Sequence, residues 1–158
     1  MANGPGFEAD HEDQRLAEMA RLALRDGRRV LSEDLRLMLH DKFSDPMLGI
    51  YGAHLLLWEQ ELDEELYRIV VGNLRGLLGN HPDVKALGLR FIEGTAPSFD
   101  APPMLRQSWQ LILNATVTRP GIVSANSLLS HIAPLVWGEG PWLIWMERSD
   151  QELADDSQ

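Results

Sequence analysis

An uncharged and largely apolar run at positions 46–58 constrains the fold of this chain more than any other segment. The run follows Asp45 and starts with Pro46. This pair is typical of a helix start, because the aspartate accepts backbone N–H groups and proline has no N–H to satisfy there. Apolar residues then occupy nearly every side of the helix, so other elements must surround it. The sequence therefore predicts a central, buried helix.

Small residues lie at matched places on this helix and on the helix predicted after it. Gly49, Gly52 and Ala53 are spaced i, i+3 and i+4, which puts them on one face, and Gly72 and Gly76 are one turn apart. A glycine inside a helix costs about 1 kcal/mol relative to alanine, and close approach of a second helix would compensate for that cost. We predict that these five residues are the helix-packing positions of a tight αα-hairpin.

Helical periodicity extends over most of the remaining chain. Two amphipathic stripes precede the central helix, and acidic residues at 63–65 suit the start of a fourth helix. Shorter helices are predicted from Pro82, after Pro103, and near Ser124 or Asn126. The predicted apolar stripe of the fourth helix is Leu62, Leu66, Ile69, Val70, Leu74 and Leu77. We therefore predict an all-α fold, a compact bundle of about six or seven helices with an aromatic C-terminal segment.

Negative charge is concentrated at the two ends of the chain. Residues 1–14 hold four acidic and no basic residues, and residues 147–158 hold five acidic and one basic, so each end carries −4 of the total −10. We predict that both ends are disordered acidic tails. A single helical domain is predicted over residues 15–146, divisible into halves 15–93 and 103–146 by a Pro-rich loop. The acidity disfavours nucleic acid and anionic membranes as partners.

One basic cluster interrupts this pattern. Its members are Arg15, Arg21, Arg25, Arg28 and Arg29, all in or just after the first predicted helix. They are either solvated charges on a helix face or a docking patch, and the sequence leaves both interpretations open.

The chain lacks several sequence features of secreted and membrane proteins. It contains no cysteine, which excludes disulfides, thiolate nucleophiles and zinc–thiolate sites. This absence suits a reducing compartment, and residues 1–14 have neither the basic nor the apolar region of a secretory signal. The longest apolar run is too short to cross a bilayer as a helix. We therefore predict a cytoplasmic protein without membrane association.

The sequence shows no pattern of an enzyme or a metal site. The five histidines include no His-Glu-x-x-His motif and no pair at helical spacing, so no metal site is predicted. Nucleophile-elbow and phosphate-loop patterns are also missing, and we predict a non-enzymatic protein without a cofactor. His54, inside the central helix, is predicted to be a hydrogen-bonded core residue. His81 is predicted to make a local backbone contact at a turn.

Tryptophan is concentrated near the end of the predicted domain. Residues 137–145 contain three of the five tryptophans, and tryptophan is enriched at interface hot spots. This segment either folds back to close the core or contacts a partner. The predicted partner-binding residues are Met104, Arg106, Trp109, Trp137, Pro141, Trp142 and Trp145.

Two stretches of the sequence together resemble a known bacterial module. The first is residues 45–57 (DPMLGIYGAHLLL), with Asn73-Leu74-Arg75 and His81-Pro82-Asp83 downstream. The second runs from residues 102–109 (PPMLRQSW) to residues 135–142 (LVWGEGPW). Over residues 30–145, the chain is similar to a helical module at the C-terminal end of proteins from caspase-like and CHAT-type peptidase systems, which are associated with conflict or defence.

This resemblance implies an accessory role, in which the module docks on, positions or senses for a peptidase carried elsewhere. The caspase-type His and Cys pair cannot be transferred, because the chain has no cysteine. We therefore predict a non-enzymatic adaptor for a partner protein such as a caspase-like peptidase or another effector of a bacterial conflict system. One alternative is a small-ligand sensor with a pocket between the two halves near Tyr51, His54 and Trp109. An unrecognised hydrolase is a third interpretation, and the oligomeric state is left open.

Overall fold

The computed structural model describes residues 9–40, 45–92, 97–137 and 140–146, with side chains from residue 13 onward. Within these ranges it confirms the predicted all-α class. The helices are α1 (Ala9–Asp26), α2 (Ser32–His40), α3 (Pro46–Leu56), α4 (Glu64–Leu78), α5 (Pro82–Gly88), α6 (Arg106–Thr118) and α7 (Leu128–Ile132). Two 3-10 turns, Leu89–Phe91 and Ala133–Leu135, follow α5 and α7, and the strands β1 (Val136–Trp137) and β2 (Ile144–Trp145) form a short ribbon.

The first helix begins earlier than predicted. α1 starts at Ala9, inside the stretch 1–14 that was predicted to be disordered. Acidic residues at positions 10, 12 and 13 suit the first turns of a helix, where the helix dipole favours negative charge. At the other end, Gly27 has a φ of +65°, and the Arg28 N–H donates to the Ala23 carbonyl at 2.9 Å. The acidic stretches 1–8 and 147–158 lie outside the described residues.

α3 is the buried central helix that the sequence predicts. The Asp45 carboxylate accepts a hydrogen bond from the Met47 N–H at 2.9 Å, with Pro46 at the first helical position. Every residue from Leu48 to Leu56 is buried. Helices α1, α2, α4 and α5 all pack against α3.

α4 packs against α3 as predicted, but through a different face. The buried residues of α4 are Tyr67, Val70, Val71 and Leu74. The Tyr67 hydroxyl donates to the Leu87 carbonyl at 2.9 Å, and the Tyr67 ring lies 5.4 Å from the Phe91 ring. A tyrosine and three aliphatic side chains bury more apolar area than a face that carries two glycines. α4 is therefore rotated about its own axis relative to the predicted orientation.

The predicted contact through the α4 glycines is therefore wrong. Gly72 and Gly76 are exposed, and a Cβ added at either position would meet no atom within 4 Å. Three members of the predicted apolar stripe are exposed on the same helix, namely Leu66, Ile69 and Leu77.

On α3, by contrast, the small residues are enclosed. Gly49 and Ala53 are buried, and Gly52 faces α2. A Cβ added at Gly52 would lie only 2.8 Å from Leu39 Cδ2. The close approach that the glycines predict therefore occurs at Gly52, and it joins α3 to α2 rather than to α4.

Two clusters of buried apolar residues are joined by α5. The first cluster fills the space between α1, α2, α3, α4 and α5, and also includes Leu105. The second surrounds α6 and α7 and includes Trp109. α5 contributes Val84 and Leu87 to the first cluster and Ala86 to the second. The predicted halves 15–93 and 103–146 therefore interlock instead of meeting at a simple boundary.

Candidate docking surface

The C-terminal ribbon presents an apolar face to solvent. β1 and β2 are antiparallel, with Val136 opposite Trp145 and Trp137 opposite Ile144. Directly opposed residues share a face of a ribbon, and successive residues alternate between faces. Val136 packs against the second core cluster. Trp137 and Ile144 therefore lie on the outer face, where 56% and 43% of their surfaces are exposed.

Backbone hydrogen bonds attach the ribbon to the start of α6. The Arg106 N–H donates to the Pro141 carbonyl at 2.9 Å, and the Leu143 N–H donates to the Met104 carbonyl at 2.7 Å. Leu143 is buried in the second core cluster. Just before β2, the Trp142 ring meets the Tyr51 ring edge-on at a centroid distance of 6.3 Å. The outer face of the ribbon is thus held in one orientation on the body of the protein.

Asp83 positions the segment to which the ribbon is attached. Its carboxylate is fully buried, and it accepts hydrogen bonds from the backbone N–H groups of Met104 at 2.7 Å and Leu105 at 2.9 Å. A buried carboxylate is tolerated when such donors satisfy it, and the start of α5 also favours negative charge. Because the Met104 carbonyl accepts from Leu143, hydrogen bonds run from α5 to the ribbon.

The neighbouring His81 makes the local contact that was predicted. Its Nδ1 accepts from the Asp83 N–H at 3.3 Å and lies 3.5 Å from an Asp83 carboxylate oxygen. Sequence reasoning identified Asp83 only as part of a helix start. Its partners are backbone groups 21 and 22 residues away, and backbone donors leave no signal in a sequence.

The structure divides the predicted partner-binding residues into two groups. Met104, Trp137, Trp142 and Trp145 are exposed, and Arg106 is half-buried. Trp109 and Pro141 are buried, so their prediction as surface residues is wrong. Trp109 packs in the second core cluster, because α6 turns its apolar face inward.

Two exposed residues were missed by the sequence analysis, Ile144 and Met146. They alternate with Trp145, and this period of two is the signal that would have placed them on the face opposite it. Trp145 lies on the same face as Val136 but remains partly exposed. We use the name ribbon surface for five exposed apolar residues of the ribbon and the segments beside it: Met104, Trp137, Trp142, Ile144 and Met146.

His54 and Ser108 form a buried pair in the core. His54 Nε2 lies 2.8 Å from Ser108 Oγ, a distance that would suit a base and a nucleophile. However, only 2% of His54 and 0% of Ser108 is exposed, so no substrate reaches either atom. Burial lowers the pKa of His54 to about 3, which keeps the imidazole neutral. The prediction of a hydrogen-bonded core histidine is confirmed, and Ser108 is the partner that the sequence did not identify.

A cavity between the two halves lies elsewhere than the sensor hypothesis expected. It has a volume of about 290 Å³ and is lined by residues of α4, α5 and α6, among them Tyr67, and by residues that follow helices, among them Arg90 in the turn after α5 and Arg119 just after α6. Tyr51, His54 and Trp109, which were predicted to line a pocket, are packed in the core. Both guanidinium groups at the cavity are engaged. Arg90 Nε donates to the carboxylate of Glu64 at 3.0 Å, and Arg119 donates to the Ile92 carbonyl.

Among the described residues, no group of three or more His, Asp or Glu side chains is arranged to hold a metal ion. In the same part of the chain, no helix combines the length and the apolar character that crossing a membrane requires. Comparison of the chain with protein-family models, curated proteins and solved structures finds no match. The resemblance to the peptidase-associated module therefore stays a prediction.

Proposed function

We propose that this protein is a non-enzymatic adaptor that docks on a partner protein through the ribbon surface. The observation that carries the proposal is the adjacent pair Trp137 and Ile144, both exposed on a face that points away from the core. Contiguous exposed apolar patches mark interaction sites in proteins of this size. Tryptophan is also among the residues that most often dominate binding energy.

The attachment of the ribbon favours partner binding over core closure as the role of Trp137. Val136 and Leu143 already cover the second core cluster from the inner side. The hydrogen bonds to Met104 and Arg106 fix the backbone before any partner arrives. A surface that is ordered in advance loses less conformational entropy on binding than a flexible one.

Charge supports a particular kind of partner. The ribbon surface is followed in sequence by residues 147–158, which carry five acidic residues and one basic residue, and Glu139 occurs in the sequence between the two strand segments. A complementary partner has an apolar groove bordered by lysine or arginine. Single-stranded nucleic acid is a poorer fit, because residues 136–146 contain no lysine or arginine to contact phosphates. The sequence resemblance makes a caspase-like peptidase, or another effector of a bacterial conflict system in the cytoplasm, the candidate partner.

Comparative affinity purification from the native cell tests this proposal. The three baits are the unmodified full chain, a Trp137→Asp variant and a matched control, Val117→Asp. Val117 lies on α6 with 82% of its surface exposed, so the control adds the same charge at an exposed apolar position outside the ribbon surface. Surface substitutions of this kind change stability by only about 0.5 kcal/mol, and thermal unfolding of all three baits checks that they fold.

The expected result is a protein retained by the unmodified bait and by Val117→Asp, but depleted about ten-fold or more by Trp137→Asp, because a hot-spot tryptophan contributes about 2 kcal/mol or more. Capture of the same proteins, in the same amounts, by all three baits would contradict the proposal.

A small-ligand sensor is the second candidate function, favoured by the cavity of about 290 Å³ between the two halves. This volume is at the low end for ligand sites. A metabolite or nucleotide that binds the native state raises the melting temperature. A compound that stabilises the unmodified chain but not an Ala115→Phe variant, which fills the cavity, would support the sensor. The absence of any such compound in a broad library counts against it.

A further inference from the structure

An apolar groove lies between α1 and the start of α2, and none of its lining residues belongs to the ribbon surface. Its volume is about 560 Å³. Its apolar lining residues, which we call the floor, are Met19, Leu22, Ala23, Val30 and Leu31. On α1 the lining residues recur every three or four positions from residue 15 to residue 26, so they share one face of the helix. Eleven residue steps at 1.5 Å each make this face about 16 Å long.

The two ends of the groove differ in charge. At one end Arg25, Arg28 and Arg29 accompany Asp26, a balance of +2, and at the other end Arg15 accompanies Glu18 and Asp34, a balance of −1. The whole chain, by comparison, carries −10. The groove therefore has a locally basic end on a protein that is otherwise acidic.

The arginines at the basic end are accessible to a further partner. Arg25 pairs with Asp26 at 2.7 Å and Arg28 approaches the same carboxylate at 3.8 Å. The Arg28 side chain is still 78% exposed. Ion pairs at such exposed positions are weak, with values of about 0–1 kcal/mol, so an incoming carboxylate can share or replace them.

We propose that this groove binds an amphipathic α-helix of a second partner protein. The length of the groove fits about three turns, with apolar residues of the bound helix at i, i+3 or i+4, and i+7 on the floor. Acidic residues at the N-terminal end of that helix face Arg25, Arg28 and Arg29, since carboxylates are favoured at a helix N-terminus. The length along α1 favours a helix over a compact small molecule. With the ribbon surface, the chain then has two docking surfaces that share no residue, as an adaptor between two proteins needs.

Peptide display against the full chain tests this proposal without assuming a partner. The library contains random peptides of about 15 residues, long enough for three helical turns. Selected peptides are synthesised and their affinities are measured by fluorescence anisotropy against the unmodified chain and three variants. R28E/R29E reverses the charge of the basic end, and L31D places a carboxylate at the largely exposed floor position Leu31. R36E is the control, because Arg36 is exposed on α2 and does not line the groove.

The proposal expects selected peptides with apolar residues at helical spacing and acidic residues near their N-terminal end. Their affinity should fall about ten-fold or more with R28E/R29E and with L31D, and change less than about two-fold with R36E. Selected peptides without an acidic bias, or with equal losses for R28E/R29E and R36E, would overturn it.

Two further measurements separate other occupants from a partner helix. If the affinity of the selected peptides rises about ten-fold or more in a Glu152→Gln, Asp155→Asn, Asp156→Asn variant, the C-terminal segment of the same chain competes for the groove. If light scattering shows a dimer that R28E/R29E abolishes, a second copy occupies it. Either result overturns the proposal of a second partner protein. The Trp137→Asp variant should bind the selected peptides normally, so this proposal and the proposed function fail independently.

Discussion

Replacing Gly72 or Gly76 by alanine is expected to stabilise the protein, whereas the same replacement at Gly52 is not. All three glycines lie inside helices, where alanine is favoured by about 1 kcal/mol through helix propensity. A Cβ at Gly72 or Gly76 meets nothing within 4 Å, so nothing opposes that gain. The double variant should therefore gain about 2 kcal/mol.

At Gly52 the added Cβ would lie 2.8 Å from Leu39 Cδ2 and 3.3 Å from Leu39 Cγ. Overpacking of this kind costs about 1–3 kcal/mol. After the helix-propensity gain of about 1 kcal/mol, the net change is between no effect and a loss of about 2 kcal/mol. The contrast between the two sites depends only on which glycine faces a neighbouring helix.

Urea unfolding and thermal unfolding of the three single variants and the double variant measure the effect. For a chain of this size, 1 kcal/mol corresponds to a shift of about 2–4 °C in melting temperature. The scans are repeated at two protein concentrations, because self-association would make the melting temperature depend on concentration. Destabilisation by alanine at Gly72 and Gly76 would refute the placement of α4, since it would mean that another helix contacts that face.

Three further predictions concern single buried or strained positions. The pKa of His54 falls from 6.5 to about 3 on folding, so between these pH values the unfolded chain binds more protons than the folded one. The contribution of neutral His54 to the free energy of unfolding is therefore complete above pH 6.5 and is lost as the pH falls. The loss between pH 7.5 and pH 4.5 is about 3 kcal/mol. Urea unfolding of His54→Gln should show a correspondingly flatter pH dependence, and an unchanged slope would contradict the assignment. Asp83→Asn should cost about 2 kcal/mol or more in urea unfolding, because a backbone N–H of Met104 or Leu105 loses a charged acceptor; a loss under about 0.5 kcal/mol is the opposing result. Gly27→Ala should lower stability by about 1–2 kcal/mol in thermal unfolding because of its φ of +65°, and an unaltered melting temperature would argue against that conformation.

Short-range patterns in the sequence were sufficient to predict the helices. Asp45 and Pro46 marked the start of α3, and the continuous apolar run after them predicted its burial, because capping and hydrophobicity act within a few residues. A glycine at position 27 suits the end of α1, because glycine readily adopts the left-handed conformation found there. These features need no knowledge of distant partners.

The orientation of α4 and the pairing of buried polar groups could not be predicted from such short-range patterns. α4 carries two competing apolar stripes, and the choice between them depends on Tyr67 meeting Leu87 and Phe91 in space. The pairs His54–Ser108 and Asp83–Met104 join residues 54 and 21 positions apart. The ribbon strands have two residues each, which is too short for an alternating pattern to be recognised before the pairing is known.

Site-specific photocrosslinking in the native cell tests the docking role of the ribbon surface most directly. A photoreactive phenylalanine analogue replaces Trp137 in one full-length chain and Val117 in another, both exposed apolar positions. We expect a discrete crosslinked protein from position 137 and none from position 117. No adduct at position 137, or the same adducts from both positions, would contradict it.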